Sequence, residues 1–143
     1  MNIRYDDKTK ALPNAQLEQL FVKVGWCKVD NGNHSEHFNN PFVNSTLVIS
    51  AWHGEQLVGT IRAISDRIIR SIIYDVAVDP EFQGNGIGKE LVKRCIASFP
   101  NSEWLVGTEK KTIGFYEKCG FKLAFSDVNN GDGVFLRIAG KYC

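Results

Sequence analysis

YDVAVDPEFQGNGIGKELV, residues 74–92, decides the fold of this chain, because an apolar strand pattern passes there into a helix pattern through a glycine loop. Gly84, Gly86 and Gly88 stand on alternate positions between the two patterns. Glycine adopts positive φ and lets another molecule approach the backbone. The first amides of a helix have no intrahelical partner, and no Ser, Thr or Asp lies between residues 84 and 88 to cap them. The stretch therefore predicts either a tight strand-to-helix turn or an anion site at a helix N-terminus.

Strand and helix patterns alternate along the rest of the chain. Apolar residues at helical spacing predict three helices. These are LPNAQLEQLFVKVGW (12–26) with Gly25 as its stop, residues 87–99, and TIGFYEKC (112–119) closed by Gly120. Short apolar runs predict seven strands, which are NIRY (2–5), TLVISAW (46–52), QLVGTIRAIS (56–65), RSIIYDVAV (70–78), EWLVGT (103–108), FKLAFSDV (121–128) and GVFLRIA (133–139).

The order of these elements indicates a mixed α/β sheet. The predicted order is β-α-loop-β-β-β-α-β-α-β-β, in which the turn His53–Gly54–Glu55 joins two strands as a hairpin. Residues 26–44 are polar and rich in Asn and His, which predicts a loop or a broken helix. A mainly antiparallel start followed by two strand–helix units favours a single mixed sheet.

Length and composition are typical of one soluble domain covering residues 1–143. Apolar residues make up 43% and charged residues 23% of the chain, and the formal net charge is only +1. A nearly neutral chain without a basic stripe gives no reason to expect a nucleic acid or an acidic membrane as partner. The longest apolar run is far shorter than the roughly 20 residues that cross a bilayer, and residues 1–10 contain no secretory segment. A cytosolic protein is expected.

Cysteine and histidine spacing does not predict a metal site. The cysteines, none of them in a C-x-x-C pair, are Cys27, Cys95, Cys119 and Cys143. In a reducing compartment this pattern indicates buried or incidental thiols. Cys27, His34 and His37 are close in sequence, but a closed zinc site needs about four ligands. No metal is therefore expected.

Two common phosphate-binding motifs do not fit the glycine loop. A Walker motif, G-x-x-x-x-G-K-[ST], would need glycine in place of Gln83 and a hydroxyl in place of Glu90. A dinucleotide motif, G-x-G-x-x-G, would need glycine at residue 89 or 91, where lysine and leucine stand. Both motifs are therefore excluded.

A third phosphate-binding motif fits at every specified position. Gln83-Gly84-Asn85-Gly86-Ile87-Gly88 matches Q/R-x-x-G-x-G/A, the pyrophosphate loop of the GNAT superfamily of acyl-CoA N-acyltransferases. IGFYEKCGF (113–121) resembles the second signature of that family, F-Y-x-x-x-G-F, and follows about one crossover unit later. The chain resembles the family over nearly its whole length. The resemblance implies a GNAT-like fold of about seven strands and three to four helices, with an acyl-CoA site.

The resemblance implies an N-acetyltransferase that takes acetyl-CoA as co-substrate and passes the acetyl group directly to an amine. An alkylammonium, of pKa roughly 10.4, must lose a proton before it attacks, and the departing thiolate, of pKa about 8.5, gains from an acid. Tyr116 stands at the tyrosine of the second signature and is the candidate acid. Without the signature, Tyr116 would be interpreted as an aromatic that fills space on a short apolar helix.

The resemblance also assigns residues to the coenzyme. The family uses backbone groups at the end of the strand before the loop, where a bulge or splay turns the amides towards the coenzyme. Ordinary strand pairing is the alternative for that stretch. The residues expected to bind the coenzyme are Val76, Ala77, Val78, Gln83, Gly84, Asn85, Gly86, Ile87, Gly88 and Lys89. Lys89, Lys93 and Arg94 are either surface charges or contacts of the coenzyme 3′-phosphate.

Asp75 places a carboxylate in an otherwise apolar strand, and its presence there needs a physical explanation. Burying a carboxylate costs several kcal/mol unless it is paired. One explanation is functional: Asp75 binds the substrate ammonium or relays its proton, as the D-V-x-V strand of members that act on small or aryl-alkyl amines implies. The other is structural: Asp75 pairs with Arg62 or Arg70.

The acceptor side is less constrained by the resemblance. In the family the acceptor site is lined by the first helix, the loop after it and the last hairpin. Residues 26–44 are the expected source of specificity for the acceptor. Four aromatic residues form either a pocket for an apolar amine or part of the core, and they are Trp26, Phe38, Phe42 and Phe135. Trp26 is the candidate for substrate contact. Glu109 departs from the family, because many members carry there an Asn that contacts the pantetheine.

Three functions remain open on sequence grounds. The leading hypothesis is acetylation of a small primary amine, including aryl-alkyl amines. The second is acetylation of a protein lysine or N-terminus, and the third is a non-catalytic domain that senses acyl-CoA. Asp75 and Tyr116 argue against the third, since a sensor needs neither. A homodimer is expected, because many relatives dimerise.

Overall fold

The computed structural model describes residues 1–28, 36–126 and 131–142. The strands, numbered along the chain, are β1 (Arg4–Asp6), β2 (Leu47–His53), β3 (Gln56–Ser65), β4 (Arg70–Val78), β5 (Glu103–Glu109), β6 (Lys122–Ser126) and β7 (Gly133–Ile138). The helices are α1 (Asn14–Lys23), α2 (Asn40–Val43), α3 (Ile87–Ser98) and α4 (Ile113–Lys118). None of these four helices is long and apolar enough to span a bilayer.

The strands form one mixed sheet in the order β1-β2-β3-β4-β5-β7-β6, which confirms the predicted α/β class. Neighbouring strands run antiparallel except β4 and β5, which are parallel and are connected through α3. β7 lies between β5 and β6, so that β6 forms an edge. A parallel pair requires a crossover connection, and this crossover contains the glycine loop at the carboxyl end of β4.

Helices cover the two faces of the sheet with separate apolar clusters. α3 and α4 lie on one face, whose largest buried side chain is Trp104. α1 and α2 lie on the other face, where Leu17 and Leu20 cluster with Phe42 and with Ala77 of β4. Each fully buried side chain of this kind contributes about 1.5–3 kcal/mol. The two layers therefore hold β4 between them.

Most element boundaries lie close to the predicted ones. β3 and β4 begin and end where the sequence predicts. α1 ends at Lys23, because the chain turns there and Gly25 adopts a φ of +84°. α2 is the short helical piece of the predicted broken helix. The last predicted residues of strand 121–128 lie outside the described part of the chain.

Candidate active site

β4 is paired on both edges at its start and on one edge at its end. Its parallel pairing with β5 begins at Arg70 and stops at the pair Ile73–Val106. Its antiparallel pairing with β3 continues to Val78. The two parallel strands then separate, and a cleft opens between them on the side where α3 begins. This separation is the splay that the resemblance implied.

A β-bulge in β4 accompanies the separation. Arg62 of β3 faces Asp75, whereas the next residue, Ala63, faces Ile73. Tyr74 is therefore the extra residue of the bulge. Bulges strengthen the local twist and redirect side chains, and this one lies where β4 leaves β5.

The backbone groups of Val76 and Val78 face the opening. Asp79 donates its N–H to the Val58 carbonyl at 2.8 Å, and hydrogen-bonded pairs alternate along an antiparallel ladder. Val76 and Val78 are therefore the positions that do not bond to β3. Ala77 is the bonded position between them, and its side chain is buried in the cluster under α1.

The glycine loop leaves the first amides of α3 uncovered. Gly84 and Gly86 have φ values of +83° and +78°, and Gly86 precedes the helix without any side-chain cap. A Cβ added at either glycine would meet no protein atom within 4 Å. Asn85 Nδ2 donates to the Phe82 carbonyl at 3.0 Å and holds the loop in shape. Bare amides with open space in front of them are the arrangement that binds an anion.

An ion pair connects this loop to α1. Asp79 accepts the Glu81 N–H at 3.0 Å through one carboxylate oxygen, and so caps the 3-10 turn that leads into the loop. The other oxygen accepts from Lys23 Nζ at 2.9 Å, and the Asp79 side chain is only 1% exposed. A buried carboxylate is tolerated when it is paired, and here both oxygens are used. The loop and α1 are therefore fixed to each other.

The opening between β4 and β5 forms a cleft of about 570 Å³, which we call the splay cleft. Its lining residues are Val76, Val78, Gln83, Gly84, Gly86, Ile87, Gly88, Lys89, Thr112, Phe115 and Tyr116. Eight of the ten residues that the sequence assigned to the coenzyme are among them, whereas Ala77 and Asn85 are not. Sequence reasoning missed Thr112 and Phe115, although Phe115 belongs to the second signature. A Cβ at Gly88 would come within 3.3 Å of the Phe115 ring, which explains the third glycine.

Tyr116 stands at the end of the splay cleft. Its side chain is 7% exposed and packs edge-to-face on Phe115 and Phe121, with ring centroids 4.9 and 5.7 Å away. Burial raises the pKa of Tyr116 to about 12, with smaller contributions from Cys119 and Asp75. The phenol is therefore a neutral hydrogen-bond donor throughout the physiological pH range.

A second space, which we call the tyrosine cavity, continues beyond Tyr116. It measures about 370 Å³ and is lined by Trp26, Tyr74, Asp75, Val76, Val106, Gly107, Thr108, Glu109, Lys111, Thr112 and Tyr116. Val76, Thr112 and Tyr116 line both spaces, so the cleft and the cavity meet beside these three residues. Trp26, the predicted substrate contact, lines the cavity with a side chain that is 51% exposed. Glu109 lines it as well.

Asp75 forms an ion pair with Arg62 on the neighbouring strand. Arg62 Nε donates to Asp75 Oδ2, which decides between the two predicted partners, because Arg70 pairs elsewhere. The Arg62 guanidinium also lies 5.5 Å from the centroid of Phe42 and 5.2 Å from that of Tyr74. The Asp75 side chain is 22% exposed, because it borders the tyrosine cavity rather than packing in the core.

A third space, which we call the aromatic cavity, lies on the other side of Asp75. It measures about 310 Å³ and is lined by Phe21, Cys27, His37, Phe38, Pro41, Phe42, Arg62 and Asp75. Phe21 packs edge-to-face on Phe38 and Phe42, with centroids 5.4 and 5.8 Å apart. Phe38 and Phe42 therefore both line the aromatic cavity and pack in the apolar cluster under α1. Sequence reasoning missed Phe21, although helical spacing placed it on the apolar side of α1.

Phe135, the fourth predicted aromatic, lies beside the tyrosine cavity. Its ring covers Gly107, where an added Cβ would come within 2.9 Å, and it stacks on Phe125 at 4.8 Å. Gly107 itself lines the tyrosine cavity. Phe135 therefore supports the cavity from behind.

Within the described part of the chain, no group of three or more His, Cys, Asp or Glu side chains is placed to hold a metal ion. Cys27 and His37 both line the aromatic cavity, whereas His34 and Cys143 lie outside the described residues. Burial, together with nearby carboxylates, raises the pKa of the Cys27 thiol. Cys27 is therefore a neutral thiol in the cavity wall.

Comparison with known proteins adds the family to this geometry. Residues 44–123 match the family described as acetyltransferase (GNAT) domain. The chain is 31% identical over 133 residues to the uncharacterized N-acetyltransferase ycf52 of Pyropia yezoensis, and the match covers 91% of this chain and 73% of that protein. It is 30% identical over 118 residues to the histone acetyltransferase TAP1 of Glycine max, a match that covers 74% of this chain and 50% of that protein.

A solved structure shares the fold. An aminoglycoside 6′-N-acetyltransferase complexed with coenzyme A superposes with a TM-score of 0.73 at 20% identity, and the match covers 96% of each chain. The chain thus belongs to the GNAT acetyltransferase family and is an acyltransferase that uses acetyl-CoA as co-substrate. The splay cleft fits this co-substrate, because its bare amides and its two glycines with positive φ can receive a diphosphate where a side chain would block it.

Proposed function

We propose that this chain acetylates the primary amine of a small or aryl-alkyl compound by direct attack in a ternary complex with acetyl-CoA. The observation that carries the proposal is the position of Asp75, which borders the tyrosine cavity and the aromatic cavity. An amine with an apolar body would place its ammonium at this carboxylate and its body among the rings. Its nitrogen would then face the tyrosine cavity, which Asp75 and Tyr116 both line.

The splay cleft is the proposed place of the coenzyme. The bare amides at the start of α3 would bind the diphosphate. The backbone groups of Val76 and the Val78 N–H, which do not bond to β3, would bind the pantetheine arm. Acetyl-CoA supplies an activated thioester. Positioning, charge stabilisation and proton transfer then fall to residues of this chain.

Tyr116 is proposed to donate a hydrogen bond to the sulfur that leaves. Its pKa of about 12 keeps the phenol protonated, and the phenol stands where the cleft meets the tyrosine cavity. A thiol has a pKa of about 8.5, so complete transfer of the phenol proton to the thiolate is uphill by about 5 kcal/mol. Tyr116 therefore stabilises developing negative charge by donation, and solvent protonates the thiolate after release.

Asp75 is proposed to bind the ammonium and to orient it for loss of its proton. Arg62 donates to Oδ2, and Oδ1 is the oxygen proposed to receive the ammonium. A carboxylate is a far weaker base than an alkylamine, whose ammonium has a pKa of about 10.4, so it does not keep the proton. The proton therefore passes on to water, and the reaction is expected to speed up as the pH rises.

A protein acceptor is the second candidate. The likeness to TAP1, which is named a histone acetyltransferase, favours it. A lysine side chain is also a primary alkylamine, so Tyr116 and Asp75 would keep the same roles. The two candidates differ in the aromatic cavity, which an aliphatic lysine chain leaves unfilled.

Thiol release from acetyl-CoA, measured with a panel of acceptors, tests the proposal. An aryl-alkylamine is expected to exceed a simple alkylamine and a lysine peptide by about tenfold in kcat/KM. Phe38→Ala should abolish this preference, because Phe38 lines the aromatic cavity. Tyr142→Ala is the matched control, since Tyr142 is an exposed aromatic residue that lines none of these cavities. A preference for the peptide would overturn the small-amine proposal, and coenzyme binding without turnover of any acceptor would favour a sensor.

A further inference from the structure

Arg62, the ion-pair partner of Asp75, lies in the wall of the aromatic cavity. Asp75 lines both the aromatic cavity and the tyrosine cavity, whereas Arg62 lines only the first of these two spaces. The carboxylate therefore has different neighbours in the two directions. Towards the aromatic cavity a guanidinium accompanies it, and towards the tyrosine cavity this guanidinium does not reach the wall.

Several contacts fix the Arg62 guanidinium in this wall. Nε donates to Asp75 Oδ2, and Nη1 donates to Ser45 Oγ at 3.4 Å. The ring centroids of Phe42 and Tyr74 lie 5.5 and 5.2 Å from its central carbon. The Arg62 side chain is only 19% exposed. A fixed and partly dehydrated guanidinium acts on a nearby charge more strongly than a surface cation does.

The charges of the aromatic cavity balance without any surplus. Among the described residues of its wall, Asp75 is the only carboxylate. The Cys27 thiol brings no charge, because burial, with smaller contributions from Glu18 and Asp75, raises its pKa. Glu18 itself does not line the cavity, whereas His37 does and adds to the positive charge of Arg62 when it is protonated. Asp75 and Arg62 therefore cancel.

A bound acceptor amine would use the negative charge of this wall. Its reacting ammonium takes the place at Asp75, and its body enters the cavity among the rings of Phe21 and Phe38. A neutral body meets apolar surface there. A second cation on the body meets the guanidinium of Arg62 instead, and the described wall offers it no second carboxylate. Like charges brought together in a partly dehydrated site repel strongly.

We propose that Arg62 is a specificity-determining residue, which restricts the acceptor to amines with a single positive charge and excludes those that carry a second cationic group on the body. The inference rests on the proposed acetylation of a small amine, and it narrows the substrate class of that reaction. Selection of this kind uses an unfavourable contact with the wrong substrate rather than a further contact with the right one. Arg62 itself takes no part in bond formation or proton transfer.

Three acceptors of similar size test the inference on the native protein. They are benzylamines that carry an ethyl, a hydroxymethyl or an aminomethyl group in the para position. The hydroxymethyl compound separates the effect of charge from that of polarity. Thiol release from acetyl-CoA is measured at about pH 7, where both amines of the aminomethyl compound are charged. Its kcat/KM should lie about thirtyfold below that of the hydroxymethyl compound.

Three variants show whether this ratio depends on the charge of Arg62. Arg62→Gln removes the charge and should reduce the ratio to about threefold. Arg62→Lys keeps a cation at that place and should keep the ratio, although a changed ion pair with Asp75 lowers all three kcat/KM values. Arg70→Gln is the matched control, because Arg70 pairs with Glu103 at the start of β4 and lines none of the spaces at the site. It should behave as the native protein.

The outcomes separate this inference from the proposed function. A ratio that Arg62→Gln leaves unchanged would show that Arg62 only supports Asp75, and would overturn the inference. Equal kcat/KM for the aminomethyl and hydroxymethyl compounds in the native protein would also overturn it, without any variant. Arg62→Met, which keeps an unbranched chain beside the two rings, replaces Arg62→Gln if the latter does not fold. Turnover of none of the three amines would instead overturn the proposed function.

Discussion

The two ends of β4 differ in what their backbone and their charges are used for. Residues 71–73 are paired with both β3 and β5, whereas residues 75–78 are paired with β3 alone. Each end also has a partly buried carboxylate paired with arginine. At the closed end Glu103 lies 3.8 Å from Arg70 and 3.7 Å from Arg137, and at the open end Asp75 has Arg62 and borders two cavities.

The difference shows how one strand combines a rigid frame with a binding surface. A buried amide without a partner costs about 1–3 kcal/mol. At the open end the backbone groups of Val76 and the Val78 N–H do not bond to β3 and lie towards a cleft, where a ligand can bind them, whereas the Val78 carbonyl accepts from Gln83 Nε2 at 3.0 Å. The closed end has no such groups and holds the strand in register.

Blocking the open end at its loop should have the largest effect. Gly86→Val puts a β-branched residue at a φ of +78°, and its side chain would stand in front of the bare amides of α3. Affinity for CoA in calorimetry should fall by about a hundredfold or more. Gly54→Val is the control, because Gly54 has a φ of +60° in the turn between β2 and β3. It should lose stability but not affinity, and unchanged affinity in Gly86→Val would remove the loop from the coenzyme site.

Removing the phenol at the meeting point of cleft and cavity comes next. Tyr116→Phe keeps the packing on Phe115 and Phe121 but loses the donor. We expect kcat to fall by about tenfold or more, with little change in affinity for CoA. Tyr142→Phe, at an exposed position, should behave as the native protein. A folded Tyr116→Phe with native kcat would show that the phenol takes no part in the reaction.

Replacing the carboxylate at each end of β4 by its amide, one at a time, tests directly whether the two ends differ in function. Asp75→Asn should raise the KM for the amine by about five- to tenfold, because the ammonium loses its counter-charge. Glu103→Gln removes the equivalent charge at the closed end and should change thermal stability only. Steady-state kinetics over a range of pH measures both. Equal KM values and equal pH profiles for the two variants would leave Asp75 with a structural role alone.

The smallest expected effect is on the dependence of kcat/KM on pH at the alkaline end. Burial raises the pKa of Tyr116 to about 12, so the protonated phenol persists as pH rises and begins to be lost only near that value. The kcat/KM for the amine should therefore rise with pH as the amine loses its proton, without a fall below about pH 11. Tyr116→Phe should show the same profile shape at a lower level. A fall centred near pH 10 in the native protein alone would mean that the phenol is not protected from water.

Local sequence signals were sufficient to predict the central strands of the sheet and the conformation of the glycine loop. β3 and β4 have the predicted bounds, because alternating apolar residues and the flanking turns specify them. The glycine loop has the predicted bare amides, since positive φ at Gly84 and Gly86 is a property of those residues themselves. Ala77 and Asn85 lie outside the cleft lining. Whether any of the lining residues contacts the coenzyme stays a prediction.

The acceptor side depends on contacts between distant parts of the chain, which sequence spacing does not reveal. Asp75 had two arginines within reach in sequence, and the bulge at Tyr74 decides that Arg62 faces it. Phe21 meets Phe38 only because α1 packs across the sheet.

The bridge between Lys23 and Asp79 has a consequence for protein engineering. Grafting residues 79–88 onto another sheet, to confer coenzyme affinity, would transfer the Asp79 carboxylate, which is 1% exposed. One of its two oxygens is bound by Lys23, the last residue of α1, which the graft would leave behind. A recipient without a cation at that place would receive an uncompensated charge, which destabilises by several kcal/mol. The transferable unit is therefore the loop together with its anchoring lysine, two pieces separated by more than fifty residues of chain.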